Sequence, residues 1–201
     1  QAGAHFKMAP GTSFISFSNI HIHGTEKEPV IIEAADRRKP FKVWAVNGTN
    51  SNTTAENMFE FIRFSGSSGG IVMGYDYPAG FNLRDIQARI QHCTFSGIER
   101  GHALSVVGGR VFLENNTYTD IKNNFVKLAF VKARLTGNRF EEKTTEEDEE
   151  EDEEESIETG QALKRDGLEI TNSEVFIGNS RFLNFKDKAL NIGEDSRCGV
   201  Y

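Results

Sequence analysis

The stretch RVFLENNTYTDIKNNFVKLAFVKARLTGNRF, residues 110–140, holds one full unit of a repeat and the opening of the next. Leu113 is followed five residues later by Tyr118, and Leu135 five residues later by Phe140. The same aliphatic-to-aromatic step occurs upstream at Ile90 and Phe95 and downstream at Ile177 and Phe182. Each copy closes on an apolar pair: Leu104 and Val106, Val126 and Leu128, Leu168 and Ile170, Leu190 and Ile192. The copies lie 23 (Ile90 to Leu113), 22 (Leu113 to Leu135) and 42 (Leu135 to Ile177) residues apart. The longest interval is one 22-residue unit plus 20 residues, and an acidic run lies inside it.

Within each copy the apolar residues alternate with polar ones, as in Val111 and Leu113 or Leu190 and Ile192. Alternation over short runs marks strands with one buried face. The leucine ladder and helical arc of a leucine-rich repeat are absent. Short β-runs separated by Asn, Gly and Ser at a period of 22 residues predict an all-β chain, a parallel β-helix. The crossover rule makes it right-handed. Successive turns pair at roughly 4.8 Å, so like residues stack on like. Phe95, Tyr118, Phe140 and Phe182 are then expected to form an inward aromatic ladder. Cys93, Asn116, Asn138 and Ser180 precede it and belong near a corner, where small polar side chains bond to turn backbone.

A solenoid makes the 201 residues one elongated domain. Without the insert, enough chain remains for about eight turns, on the order of 40 Å of stack. The sequence starts abruptly at Gln1 and stops at Tyr201 without a polar cap. Solenoids need caps, so the chain is expected to be a fragment of a larger protein. No apolar run approaches the ~20 residues that span a bilayer.

In the first third, Phe14–Phe17, Ile20–His23, Pro29–Ile32 and Lys42–Val46 read as strands. Phe59–Phe64 alternates, with Phe59 and Phe61 inward and Phe64 a further inward candidate. Ile71–Leu83 fits the turn pattern poorly and predicts an irregular excursion. Cys93 and Cys198 fall several turns apart, too far for a mutual disulfide, and Cys93 reads as a small buried thiol. Sequons begin at Asn47, Asn52 and Asn115, a common by-product of turn-rich sequence.

The segment Gly24-Thr25-Glu26-Lys27-Glu28-Pro29-Val30-Ile31-Ile32, followed by Trp44-Ala45-Val46, resembles the opening turns of bacterial right-handed parallel β-helix surface proteins. Arg165-Asp166-Gly167-Leu168-Glu169-Ile170 and Asp187-Lys188-Ala189-Leu190-Asn191-Ile192 are similar to later turns of the same group. Some members carry this unit beside a spore-coat-kinase-like domain. The resemblance implies a secreted or cell-surface location and no particular reaction. Relatives tend to place acidic residues on the strand aligned with Asn123–Leu128, whereas here Lys127 breaks any acidic row.

Residues 141–160 are expected to loop out as a disordered acidic insert. Glu141 to Glu158 holds thirteen Asp or Glu against Lys143, a charge of −12; the whole chain is −7, so the body carries +5 (−7 + 12). The run buries no apolar area and repels itself. It lacks the ligand spacing of a calcium loop and suits only weak, non-stoichiometric Ca²⁺ association.

His21 and His23 share one strand face, a spacing that holds Zn²⁺ or Cu²⁺ when further ligands converge, and His5 is the nearest candidate. With Ile20 and Ile22 inward, these histidines are expected simply to face solvent. Outward rows near the closing strands offer His102, Asn124, Asp166 and Lys188, with Ser105, Lys127, Glu169 and Asn191 beside them. His102, Asn124, Glu169 and Asn191 are the expected ligand-facing strip. Asp166 and Asp187 on adjacent turns, with Arg165 and Lys188 as basic neighbours, are the candidate catalytic set of a polysaccharide lyase or glycoside hydrolase acting on an acidic glycan. Alternating charge on a solvated sheet face accounts for the same residues without catalysis. No nucleophile elbow or zinc-protease motif occurs, and Gly66–Gly74 lacks the Lys-Ser/Thr of a phosphate loop, so no nucleotide or nucleic-acid partner is expected. The sequence favours a non-catalytic extracellular scaffold or adhesion module that presents a long face to glycans or other surface polymers, without a cofactor.

Overall fold

A computed structural model describes residues 1–48, 56–143 and 165–201. Apart from one antiparallel hairpin, its strands fall into three parallel stacks, and each coil of the chain contributes to all three in turn. The first stack is a seven-stranded sheet: β1 (His5–Met8), β4 (Val30–Ala34), β7 (Ile62–Ser65), β11 (Thr94–Ile98), β13 (Thr117–Ile121), β16 (Arg139–Glu141) and β19 (Arg181–Leu183). The second runs through β2 (Ser13–Ser16), β5 (Val43–Asn47), the first parts of β10 (Ala79–Gln91) and β12 (His102–Glu114), β14 (Val126–Ala129), β17 (Leu168–Thr171) and β20 (Leu190–Ile192). The third takes β3 (His21–His23), β6 (Glu56–Glu60), the later parts of β10 and β12, β15 (Lys132–Thr136), β18 (Glu174–Gly178) and β21 (Arg197–Val200). The described residues form seven coils rather than the expected eight, because the early coils are longer than 22 residues: His5 pairs with Ile31, Val30 with Ile62, and Trp44 with Phe81. No described residue is helical, and no helix is long and apolar enough to cross a membrane.

The predicted register holds through the repeat tract. Phe95 lies opposite Tyr118, Tyr118 opposite Phe140, and Phe140 opposite Phe182. Their rings stack at 5.1, 4.8 and 4.5 Å with planes within 7° of parallel. The 42-residue interval preserves register on both sides, since Val126 pairs with Leu168 and Leu135 with Ile177. The expected insert lies, beyond Lys143, outside the described residues, as does the sequon at Asn52.

Two corners repeat the same backbone solution. Between the third and first stacks, Phe61, His92, Asn115, Gly137 and Asn179 all have φ between 48° and 69°. Phe61 is therefore a corner residue, not the inward one its alternation suggested. Ile62 takes the inward place, and the Phe61 ring stacks on His92 at 4.8 Å. The expected polar column follows directly. Asn116 Oδ1 accepts from the Cys93 N–H at 2.9 Å, Asn138 Oδ1 from the Asn116 N–H at 3.0 Å, and Ser180 Oγ from the Asn138 N–H at 3.2 Å. Each asparagine also donates back, Asn116 to the Ile90 carbonyl at 2.9 Å and Asn138 to the Leu113 carbonyl at 2.7 Å. Between the second and third stacks the left-handed residues are Asp85, Gly108, Phe130, Asn172 and Asp195. Gly109, also left-handed, lies so close to the previous coil that a Cβ there would meet the Ile86 carbonyl oxygen at 2.0 Å.

The excursion predicted over Ile71–Leu83 is shorter than expected. An antiparallel hairpin, β8 (Gly70–Val72) and β9 (Tyr75–Tyr77), leaves the stack, and the regular strand resumes at Ala79. Tyr77 packs on Val43 and Ala45 and covers the outer face of the second stack in the early coils.

Asn138→Ala deletes an acceptor and a donor that serve two buried backbone groups, and is expected to lower unfolding stability by about 2–3 kcal/mol in urea titration. Tyr118→Phe keeps the ring stack while removing a buried hydroxyl that has no partner; stability is expected to hold or rise by about 1 kcal/mol.

Candidate functional site

The predicted strip lies on the outer face of the second stack. Ser105, Lys127, Glu169 and Asn191 occupy successive coils in one register row. Backbone bonds from Ala103 to the Phe125 carbonyl and from Gly167 to the Lys188 carbonyl set His102, Asn124, Asp166 and Lys188 in the neighbouring row. The two rows are cross-linked. Lys127 Nζ donates to Glu169 Oε1 at 2.7 Å, and Asn124 Nδ2 to Glu169 Oε2 at 3.0 Å. Asn191 Nδ2 donates to Asp166 Oδ2 at 2.7 Å, and the Asp166 N–H donates to Asn124 Oδ1 at 2.9 Å. Burial would raise the Glu169 carboxyl, but the Lys127 ammonium and the Asn124 amide outweigh it and hold Glu169 below its usual range. Burial lowers the His102 imidazole, and the nearby Glu169 charge only partly offsets this. His102 Nδ1, Ser105 Oγ and Asp166 Oδ1 are buried without a hydrogen-bond partner.

Of the four-residue catalytic candidate set, Arg165 and Asp166 are buried, whereas Asp187 and Lys188 are exposed. Arg165 is buried at 5% exposure and pairs with Glu142, itself 3% exposed, at 3.4 Å. It belongs to the interior rather than to a surface strip. Asp166 is also buried, tied to Asn191 and Asn124. Asp187 is exposed beside Lys188, 4.0 Å away. One carboxylate lies in a polar network and the other is solvated.

His21 and His23 do share an outward face, flanking buried Ile22. Each has a local partner: His21 Nε2 meets the Glu56 carbonyl at 2.8 Å, and His23 Nδ1 contacts the Glu60 carboxylate. His5 lies in a different stack and pairs with Glu33 at 2.8 Å. Among the described residues no group of three metal-binding side chains converges. Cys93 is buried and its thiol is pushed up to about 12 by burial, while Cys198 sits in the third stack, so the two thiols are separate and free. Of the sequon asparagines, Asn115 is exposed at its corner, whereas Asn47 is half-buried and donates to the Tyr77 hydroxyl at 3.0 Å.

A second feature was not anticipated. Along the corner between the second and third stacks runs a trough of about 600 Å³. Its wall is one register row, Gln87, Arg110, Lys132, Glu174 and Arg197, drawn from five successive coils. Its rim carries Phe130, a bulky residue at φ 57° and 64% exposed. The other left-handed residues of this corner are Asp, Gly and Asn, which tolerate that backbone. A signal for this row was present: Gln87, Arg110, Lys132, Glu174 and Arg197 follow the same 23, 22, 42 and 23 residue offsets as the core columns.

The sequence matches no family model and no curated protein. Among solved structures, an alginate lyase from Paenibacillus sp. str. FPU-7 aligns over 100% of this chain and 68% of its own, at 12% identity and a TM-score of 0.31.

The His102 and Glu169 shifts carry the same sign. Both groups bind protons less readily in the folded chain than in the unfolded one, so stability rises with pH across their titration. It is expected to fall as pH drops through the ordinary imidazole value near about 6.5, and to fall further when Glu169 protonates at acid pH. Urea midpoints measured across this range should decline on acidification, and His102→Gln should flatten the part between about pH 7 and 5.

Proposed function

We propose that this chain is a right-handed parallel β-helix that works at the cell surface or in the secreted space as a non-catalytic scaffold or adhesion module. Its long face presents itself to glycans or related surface polymers. The handedness rests on the crossover rule, obeyed by about 98% of parallel connections within a sheet. The observation that carries the functional reading is the trough, whose wall repeats one position on five coils. A groove generated by a repeat is straight and periodic, and a linear polymer is the ligand that fills it. Phe130 adds an exposed ring at its rim, held in a backbone conformation that costs a residue of this kind roughly 1–2 kcal/mol. The carboxylates of the second stack satisfy neighbouring amides and Lys127, which suits a structural role better than turnover.

A second reading, a lyase or hydrolase acting on an acidic glycan, is favoured by one observation. The unpartnered atoms of His102, Ser105 and Asp166 face the same polar strip, and His102 stays neutral near neutral pH, as a general base must.

Immobilised glycan arrays, followed by reducing-end and unsaturated-product assays, separate the two. The scaffold reading expects saturable binding without product. Turnover abolished by His102→Gln would replace it with the enzymatic reading. Phe130→Asn keeps a residue that tolerates the left-handed backbone; it is expected to leave stability equal or up to about 1 kcal/mol higher while weakening glycan binding about fivefold to tenfold.

A further inference from the structure

Beside the trough, the outer row of the third stack alternates cations and rings. Arg89, Phe112, Arg134 and Phe176 are successive register partners. The Arg89 guanidinium lies over the Phe112 ring at 5.0 Å, closing one of its faces, and it is neutralised by Glu114 at 3.2 Å. Phe176 is 49% exposed, although the alternation that buries Val175 and Ile177 would tolerate any polar residue in its place. Phe112 and Phe176 bracket a cleft of about 300 Å³, with Arg110, Lys132 and Arg134 on its border and Glu174 as its acid. Lys132 is shared with Glu174 at 3.6 Å. Arg110 meets no carboxylate among the described residues, and Arg134 reaches only the Tyr201 hydroxyl, at 3.5 Å. The two rings stand two coils apart, about 9.6 Å along the stack.

We infer that this cleft is a subsite for a uronate-bearing polysaccharide lying parallel to the stack axis. This rests on the glycan-facing reading of the trough and names the class of ligand. The apolar faces of alternate sugar rings pack on Phe112 and Phe176. The intervening carboxylate is bound by Arg110 and Arg134, whose guanidinium forks match its two oxygens. Hydroxyl groups donate to Glu174. A half-buried ring and an exposed one, flanked by guanidinium groups that meet no carboxylate among the described residues, recognise a ligand that is flat and apolar on one side and anionic at its edge. A nucleic acid has that description as well, but the acceptors on this face favour a ligand rich in hydroxyl groups. Against Arg89, Arg110, Lys132, Arg134 and Arg197 on this face and its corner stand Glu56, Glu114, Glu174, Asp85 and Asp195. Those carboxylates accept hydrogen bonds from the hydroxyl groups of a sugar polymer, which the deoxyribose units of single-stranded DNA lack.

The test is titration calorimetry of the whole chain with three probes: polygalacturonate oligomers, the same oligomers after carboxyl reduction, and single-stranded DNA. Polygalacturonate is expected to bind at least about tenfold more tightly than the reduced oligomers. Phe176→Ala, at an exposed position, should weaken both sugars about tenfold. Arg110→Ala combined with Arg134→Ala should remove the preference for the uronate, so that the two oligomers bind alike, and unaltered urea midpoints confirm that these variants are folded. Equal binding of the two sugars, lost on Phe130→Asn but not on Phe176→Ala, would overturn the uronate subsite and leave the glycan-facing reading standing. Binding of neither sugar overturns both. DNA binding as tight as polygalacturonate overturns the subsite in favour of a nucleic-acid face.

Discussion

Every feature of this protein depends on one constraint: each coil lays a residue over its equivalent in the next coil, at the spacing of paired strands. Main-chain hydrogen bonds impose that spacing and are indifferent to side chains. The side chains must therefore be of kinds that tolerate their own neighbours above and below. Flat rings do so by stacking, as Phe95, Tyr118, Phe140 and Phe182 show. Asparagine does so because its amide donates to one coil and accepts from another, so Asn116 and Asn138 satisfy backbone groups that a corner would otherwise leave buried and unpaired. Opposite charges on successive coils pair, as Lys127 over Glu169 and Lys132 over Glu174 do, while like charges such as Arg110 over Lys132 stack where both side chains are exposed to water.

The same constraint turns the outside of the stack into rows. On the second stack, the polar residues of adjacent rows are close enough to bond to one another, and they do. The exceptions, His102 Nδ1, Ser105 Oγ and Asp166 Oδ1, are atoms buried at the centre of that network. On the third stack the rows are longer side chains, farther from mutual satisfaction, and they leave arginines and rings open to solvent. The corner between these two stacks is concave because its left-handed residues turn the chain abruptly, and the trough follows it for the length of the regular tract. Phe130 is the one residue of that corner for which local backbone chemistry offers no reason.

The regular tract was read from sequence almost residue for residue, because its 22- and 23-residue offsets are short and its columns are chemically pure. The early coils were not. Most of their strands are legible, though not β1, and offsets of 26 to 37 residues between partners such as His5 and Ile31 or Trp44 and Phe81 conceal the register. Phe61 was misassigned for a related reason: alternation runs through Phe59–Phe64 without a break, and only the left-handed corner at Phe61 shifts the inward face onto Ile62 and Phe64. Arg165 and Asp166 looked like surface residues because they are charged. They are buried because Glu142 and Asn191, distant in sequence, arrive beside them.

The sequence by itself determined the stacking order of the core, the aromatic and asparagine ladders, and the absence of any familiar catalytic motif. Those properties are periodic, and a period survives in one dimension. Only the tertiary structure decided which outward residues share a groove, which carboxylates are already engaged, and that the hairpin at Gly70–Tyr77 covers one face while the corner beside Phe130 stays open. These depend on how three stacks meet at an angle, and that angle is set by single left-handed residues, among which Phe61, His92 and Phe130 are not the Asp, Asn or Gly that would mark a corner in the sequence.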